Sequence, residues 1–156
     1  MAELRRLSVN DQHAIGYAPG VAMYVWRGQT SMEGARSTAA AMRATREVTP
    51  DERGVLLGLV EAGAPAPASD VRKALADAMR EADGFVRASA LIFEGQGFQA
   101  SIVRMVATGL ALIARPSFPH HVFGELAEAI AWLQPRCEPP STAANLQAMI
   151  TELREG

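Results

Sequence analysis

Gly95-Gln-Gly-Phe-Gln-Ala100 has the spacing of a dinucleotide-binding turn, G-x-G-x-x-A, between a strand-like run and a helix-like one. Glycines at these places let the backbone approach a pyrophosphate at a helix N-terminus, where free N–H groups and the dipole favour an anion. The turn comes late, in the second-to-last strand–helix unit. No acid closes the next strand about twenty residues on, Glu125 being the nearest. A tight strand–helix junction explains the same residues, and a weak ligand site at Gly95, Gly97 and Arg104 is the sharper alternative. Arg104 enters because it stands in an otherwise apolar helix, where a buried guanidinium needs a carboxylate or several carbonyls.

Other reactive side chains are scattered. His120 and His121 are adjacent and point to opposite sides of any strand, His13 is distant, and no Cys or carboxylate pair joins them at ligand spacing. Neither a metal nor a cofactor is expected. Cys137 is the single cysteine, so no disulfide forms within the chain, and Glu138 beside it raises a thiol pKa. No nucleophile elbow, phosphate loop or carboxylate dyad is legible. The expectation is a protein that is not an enzyme; a hydrolase or transferase site assembled from distant residues would escape this reading.

The chain has 156 residues, 49% hydrophobic and 21% charged, with a formal net charge of -2. That suits one domain, which at this size buries roughly 68–70% of its unfolded surface. A pI near 5.9 leaves no electrostatic footprint for nucleic acid or anionic lipid. Fourteen of the 15 basic residues are Arg, which with the abundant Ala reflects a GC-rich genome more than phosphate recognition. The longest apolar run, residues 105–114, is half the roughly twenty residues that span a bilayer. No apolar core follows the N-terminal basic residues, so no secretory signal or membrane insertion is expected, and the expected compartment is the cytoplasm.

Residues 13–17 alternate weakly, Ala18-Pro-Gly20 marks a turn, and Val21–Trp26 is apolar and β-prone, so the spacing predicts an antiparallel hairpin. Ser31 caps a helix whose Met32, Ala35, Ala39 and Met42 share a face, and residues 50–54 break it. Residues 55–60 form an unbroken apolar run, the mark of a strand covered on both faces. After the small-residue loop 62–68, Ser69 and Asp70 open a helix that Gly84 closes, with Ser69 as its N-cap. Val86–Phe93 is a strand, and Phe98–Ala114 is a helix stopped at Arg115-Pro116. Residues 121–123 make a brief strand and 125–134 a short helix. Residues 135–140 form a linker, and Ser141 caps a last helix with Leu146, Met149, Ile150 and Leu153 on one face. The order is β-β-α-β-α-β-α-β-α plus one appended helix: an α/β fold with parallel strands and right-handed crossovers.

That order, with Tyr24-Val-Trp-Arg-Gly28, Val55-Leu-Leu-Gly-Leu-Val-Glu61, Glu94-Gly-Gln-Gly-Phe98 and Ala129-Ile-Ala-Trp-Leu133, resembles STAS domains, more closely the bacterial SpoIIAA-like proteins. The resemblance covers residues 10–135, leaving 136–156 as a linker and C-terminal amphipathic helix. It implies a mixed sheet with helices mainly on one face and a role in binding proteins. In the anti-sigma-factor antagonists a phosphorylatable hydroxyl sits where a strand leads into the next helix, within an Asp-Ser-Ser-Gly-like motif. That motif is missing here; Ser69 is the one hydroxyl of residues 64–71. The resemblance makes Ser69, with Asp70 and Arg72 beside it, the partner-binding or regulatory position, where a phosphate adds about -1.5 to -2 charge.

The helix Phe98–Ala114 is apolar nearly all round, with a thin polar stripe of Ser101, Arg104 and Thr108. Such a helix is covered on both sides or faces a partner. The last helix or a second protomer is the expected cover. The nearly all-apolar helix points to an interaction module that self-associates or joins a complex, and the resemblance implies a signalling adaptor that acts on a kinase or sigma-factor pathway. The alternative is a module sensing a nucleotide or an apolar ligand.

Overall fold

The computed structural model describes residues 3–49, 54–136 and 140–156, apart from the side chains of Phe98 and residues 140–144. The expectations for residues 50–53, Cys137 and the Ser141 cap fall outside the described residues. Six strands lie side by side in chain order: β1 Arg5–Val9, β2 His13–Ala18, β3 Val21–Trp26, β4 Gly54–Val60, β5 Val86–Phe93 and β6 His120–Phe123. The first three pair antiparallel, and β3 to β6 run parallel. The helices are α1 Met32–Val48, α2 Ser69–Ala82, α3 Phe98–Ala114, α4 Leu126–Leu133 and α5 Pro140–Glu155. The sheet is therefore mixed and the class α/β, with the expected hairpin turning at Gly20, where φ is +84°.

Chain order decides where the helices go. Each of the three parallel connections steps one strand in the same direction, so crossovers of one hand put α1, α2 and α3 on the same face. Their buried residues pack with Ala22, Tyr24 and Trp26 of β3 and Leu56 of β4. The alternate residues, Val21, Met23, Val25, Val55, Leu57 and Leu59, face the other way and meet α4 and α5. This two-sided burial is what the unbroken apolar run of β4 requires.

One strand was not foreseen, and the structure settles where the last helix packs. The strand is β1: Arg5-Arg6-Leu-Ser-Val9 is an edge strand with mostly exposed side chains and carries little apolar signal. The helices divide three and two between the faces. Leu146, Met149, Ile150 and Leu153 of α5 are 0–3% exposed within the core that holds Leu4 and Leu57. Since α5 lies across the sheet from α3, it cannot be α3's second cover. Met105, Leu112 and Ile113 of α3 stand 67%, 70% and 53% exposed.

The caps divide as well. Ser31 Oγ accepts from the Gly34 N–H at 3.0 Å, as a capping serine should. Ser69 does not cap α2. The N-cap is Ala68, whose carbonyl takes the first helical bond from the Arg72 N–H, and no side chain caps the helix. The Asp70 carboxylate instead accepts from the Val71 N–H at 2.9 Å.

Candidate functional site

Between the sheet, α2 and α3 lies a pocket of about 260 Å³. Tyr24, Leu56 and Leu91 supply strand residues to its wall, and Ile102, Val103 and Val106 supply α3. It opens beside the carboxyl ends of β4 and β5, where open parallel sheets hold their ligands. Ala64-Pro-Ala-Pro67 forms a further wall, two fixed proline φ angles keeping a loop of small residues in place. Tyr24 reaches the pocket because β4 has a glycine opposite: a Cβ at Gly58 would lie 1.9 Å from Tyr24 Cζ.

The polar groups of the wall are few and uncharged. Among the described residues no Arg, Lys, Asp or Glu lines the pocket. Ser89, fully buried in β5, pairs in register with His120 of β6, and their Oγ and Nδ1 are 2.8 Å apart. Burial first and neighbouring His121 second push the His120 pKa down to about 4, so the ring is neutral at pH 7. Burial likewise raises the Tyr24 phenol above its ordinary value. Thr38 spends its hydroxyl on the Gly34 carbonyl at 2.9 Å. The Tyr24 and Thr30 hydroxyls have no hydrogen-bond partner among the described residues, and their oxygens reach open space, the buried unpaired side-chain atom there being His13 Nδ1.

At the carboxyl ends of β4 and β5, Arg154 of α5 forks onto Glu94 and donates through Nε to Glu61 at 2.9 Å. The Glu94 hydrogen bonds are the largest influence that raises the Arg154 pKa. Arg27 donates to the Arg154 carbonyl, tying the end of α5 to the loop after β3. Both carboxylates are held as ion-pair partners. They act as a clamp between α5 and the strand ends.

The residues singled out in the sequence are distributed around this pocket. Gly95 and Gly97 form the turn that opens α3, with Gln99 of the next turn lining the pocket. Both have local reasons to be glycine: a Cβ at Gly95 would fall 2.3 Å from the Phe93 ring, and Gly97 has φ +66°. Neither they nor Arg104 line the pocket, and Arg104 is exposed, so the need for a buried partner does not arise. Ser69, Asp70 and Arg72 are exposed at the start of α2, just after the proline wall. His120 and His121 do face opposite sides, since the His121 ring lies 4.8 Å from that of Trp132 in α4. His13 is buried, with Nε2 2.8 Å from Ser8 Oγ and its ring edge-on to Trp26, and Nδ1 has no partner. No group of three or more His, Cys, Asp or Glu residues among the described ones could hold a metal ion.

The sequence reading missed Tyr24, Ser89 and His120 as a group. One signal was present: Ser89 is a lone polar residue inside an apolar strand, and a buried hydroxyl needs a partner. Nothing local named His120 as that partner, 31 residues away. Among the described residues no helix is long and apolar enough to cross a membrane. No family model, no curated protein and no solved structure matches this chain.

Proposed function

We propose that this chain is a non-enzymatic binding module of STAS type that senses a small apolar molecule held beneath α3. The observation that carries the reading is the apolar pocket of about 260 Å³ at the carboxyl ends of the parallel strands. An apolar cavity of about 150 Å³ already accepts benzene, so this one suits a ligand approaching twice that size. The STAS assignment draws support from the sequential strand order and from α1 to α3 lying together on one face. An uncharged wall favours an apolar ligand over a nucleotide, whose phosphates need cations or aligned N–H groups.

A thermal-melt panel of uncharged one- and two-ring compounds tests the reading. Saturation at about 100 times Kd adds roughly 2.7 kcal/mol, a shift of several degrees. Val106→Trp, which fills the pocket, abolishes the shift. An unchanged melting temperature across the panel, or a shift that survives Val106→Trp, removes the pocket as the functional site.

The protein-adaptor reading has its own supporting observation, the exposed Met105, Leu112 and Ile113 of α3. It holds that this stripe is covered by a second copy and that Ser69 regulates the contact. Sedimentation equilibrium decides the first part: the wild type associates and Met105→Glu/Leu112→Glu is a monomer. A wild type that stays monomeric at every concentration ends it.

A further inference from the structure

We propose that two copies of this chain join through the free edge of β6, antiparallel about a two-fold axis at His121, so that their sheets become one. The proposal rests on the adaptor reading, in which a second copy covers α3, and adds where and how the copies meet.

β6 ends the sheet, and no strand among the described residues pairs with its outer side. The ladder fixes which groups it offers there. The Ser89 N–H donates to the Pro119 carbonyl at 2.9 Å, and Ser89 stands in register with His120. In a parallel ladder this turns the backbone groups of His121 and Phe123 to β5 and those of His120 and Val122 outward. An axis at His121 sets each copy's His120 opposite the other's Val122. Both pairs then exchange N–H and C=O bonds, so the edge is complementary to itself.

Sheet edges are usually guarded by charge, proline or a bulge. β1, at the far edge, has Arg5, Arg6 and a break of register between Arg6 and Ser8. His120–Phe123 has no Lys, Arg, Asp or Glu, no proline and no break. Its 4 residues are too few for an interface of the usual size, about 1,200 Å² or more. The flanking helix supplies the rest. α3 meets the sheet at β6 and turns Ile102, Val103 and Val106 to the pocket between the sheet and α2. Met105 and Leu112 therefore stand on its other side, away from α2 and toward the free edge. A foreign strand would fill the edge and leave that stripe bare, whereas a second copy covers both at once. On the α4 face the exposed His121, its ring 4.8 Å from that of Trp132, lies opposite its own copy.

Sedimentation equilibrium on the full chain is the test, and wild type is expected to be dimeric. Val122→Pro removes the outward N–H but no bond to β5, and weakens the dimer at least about tenfold. His121→Glu and His121→Lys each set like charges opposite one another and weaken it. An equimolar mixture of the two associates several-fold more tightly than either alone. Circular dichroism checks folding, and if Val122→Pro does not fold, the His121 series decides. A wild-type dimer that folded Val122→Pro and the His121 variants leave intact overturns the edge pairing. The adaptor reading survives that result if Met105→Glu/Leu112→Glu still breaks the dimer. Growth past two copies overturns the closed pairing, and a wild type that stays monomeric at every concentration ends both.

Discussion

On the α4/α5 side of the sheet, Leu133, Leu146, Ile150 and Leu153 are 0–1% exposed. On the α1–α3 side, alternate residues of the same strands border an open space. Side-chain size accounts for much of the contrast. α4 packs on β5, which turns Ala88 and Ala90 to that face, and α5 packs on β2 and β3, where Leu153 meets Gly16, so bulk meets small and the gap closes. Across the sheet the strands present Tyr24, Leu91 and Phe93, while apart from Met79 the buried residues of α2 and α3 there are small, Ala76, Ala78, Ala82, Ala107 and Ala114. α3 packs mainly on α2 and meets the sheet at its β6 edge. The same strands therefore carry a sealed core on one side and a receptive one on the other.

Core truncation should separate the two faces most. Ile150→Ala is expected to lose about 2–5 kcal/mol, while Leu91→Ala loses under about 2, because part of Leu91 already borders empty space. Urea unfolding at constant m measures both, and equal losses would erase the distinction.

The pH response comes next and belongs to the open face. His120 sits at about 4 in the fold against an ordinary 6.5, so the folded state resists its protonation. Its contribution is fully present above pH 6.5 and is lost as pH falls through 4, to a total on the order of 3 kcal/mol. The His13 pKa is also lowered, chiefly by burial, and adds a loss in the same direction. His120→Gln should therefore flatten the decline of stability between pH 6.5 and 4 relative to wild type, leaving the His13 part. An unchanged slope would mean that His120 is not held neutral.

Overpacking gives the reverse contrast. Leu146→Phe forces a ring into a filled site and should cost about 1–3 kcal/mol, whereas Val106→Phe grows into the pocket and should stay within about 0.5 kcal/mol of wild type. The smallest contrast is between two serines. Ser31→Ala removes a working cap and should cost about 1 kcal/mol, while Ser69→Ala, exposed and not capping, should change stability by less than about 0.5 kcal/mol. A loss at Ser69 equal to that at Ser31 would restore it as a cap.

The legible parts of this molecule were those written in short-range pattern. The hairpin at Ala18-Pro-Gly20, the two-faced burial of β4 and both ends of α3 follow from turn residues, unbroken apolar runs and an Arg-Pro stop. Arg115 takes the left-handed conformation, φ 47°, that ends the helix before Pro116. β1 stayed hidden because its strand character comes from pairing with β2. Ser69 misled because a capping serine and a first-turn serine look alike in sequence; the backbone at Ala68 decides between them.

The candidate site was legible only in fragments. Gly95 and Gly97 were visible as a motif, but Phe93 packing and a positive φ account for them, and Arg104 turned out to face solvent. The sequence by itself determined the α/β class and the parallel crossovers, because hydrophobic period and turn chemistry act over a few residues. Tertiary structure alone decided that α5 seals the face opposite α3. It alone brought Tyr24, Ser89 and His120 from three strands to one pocket, because convergence across a sheet depends on register and on the face each strand presents.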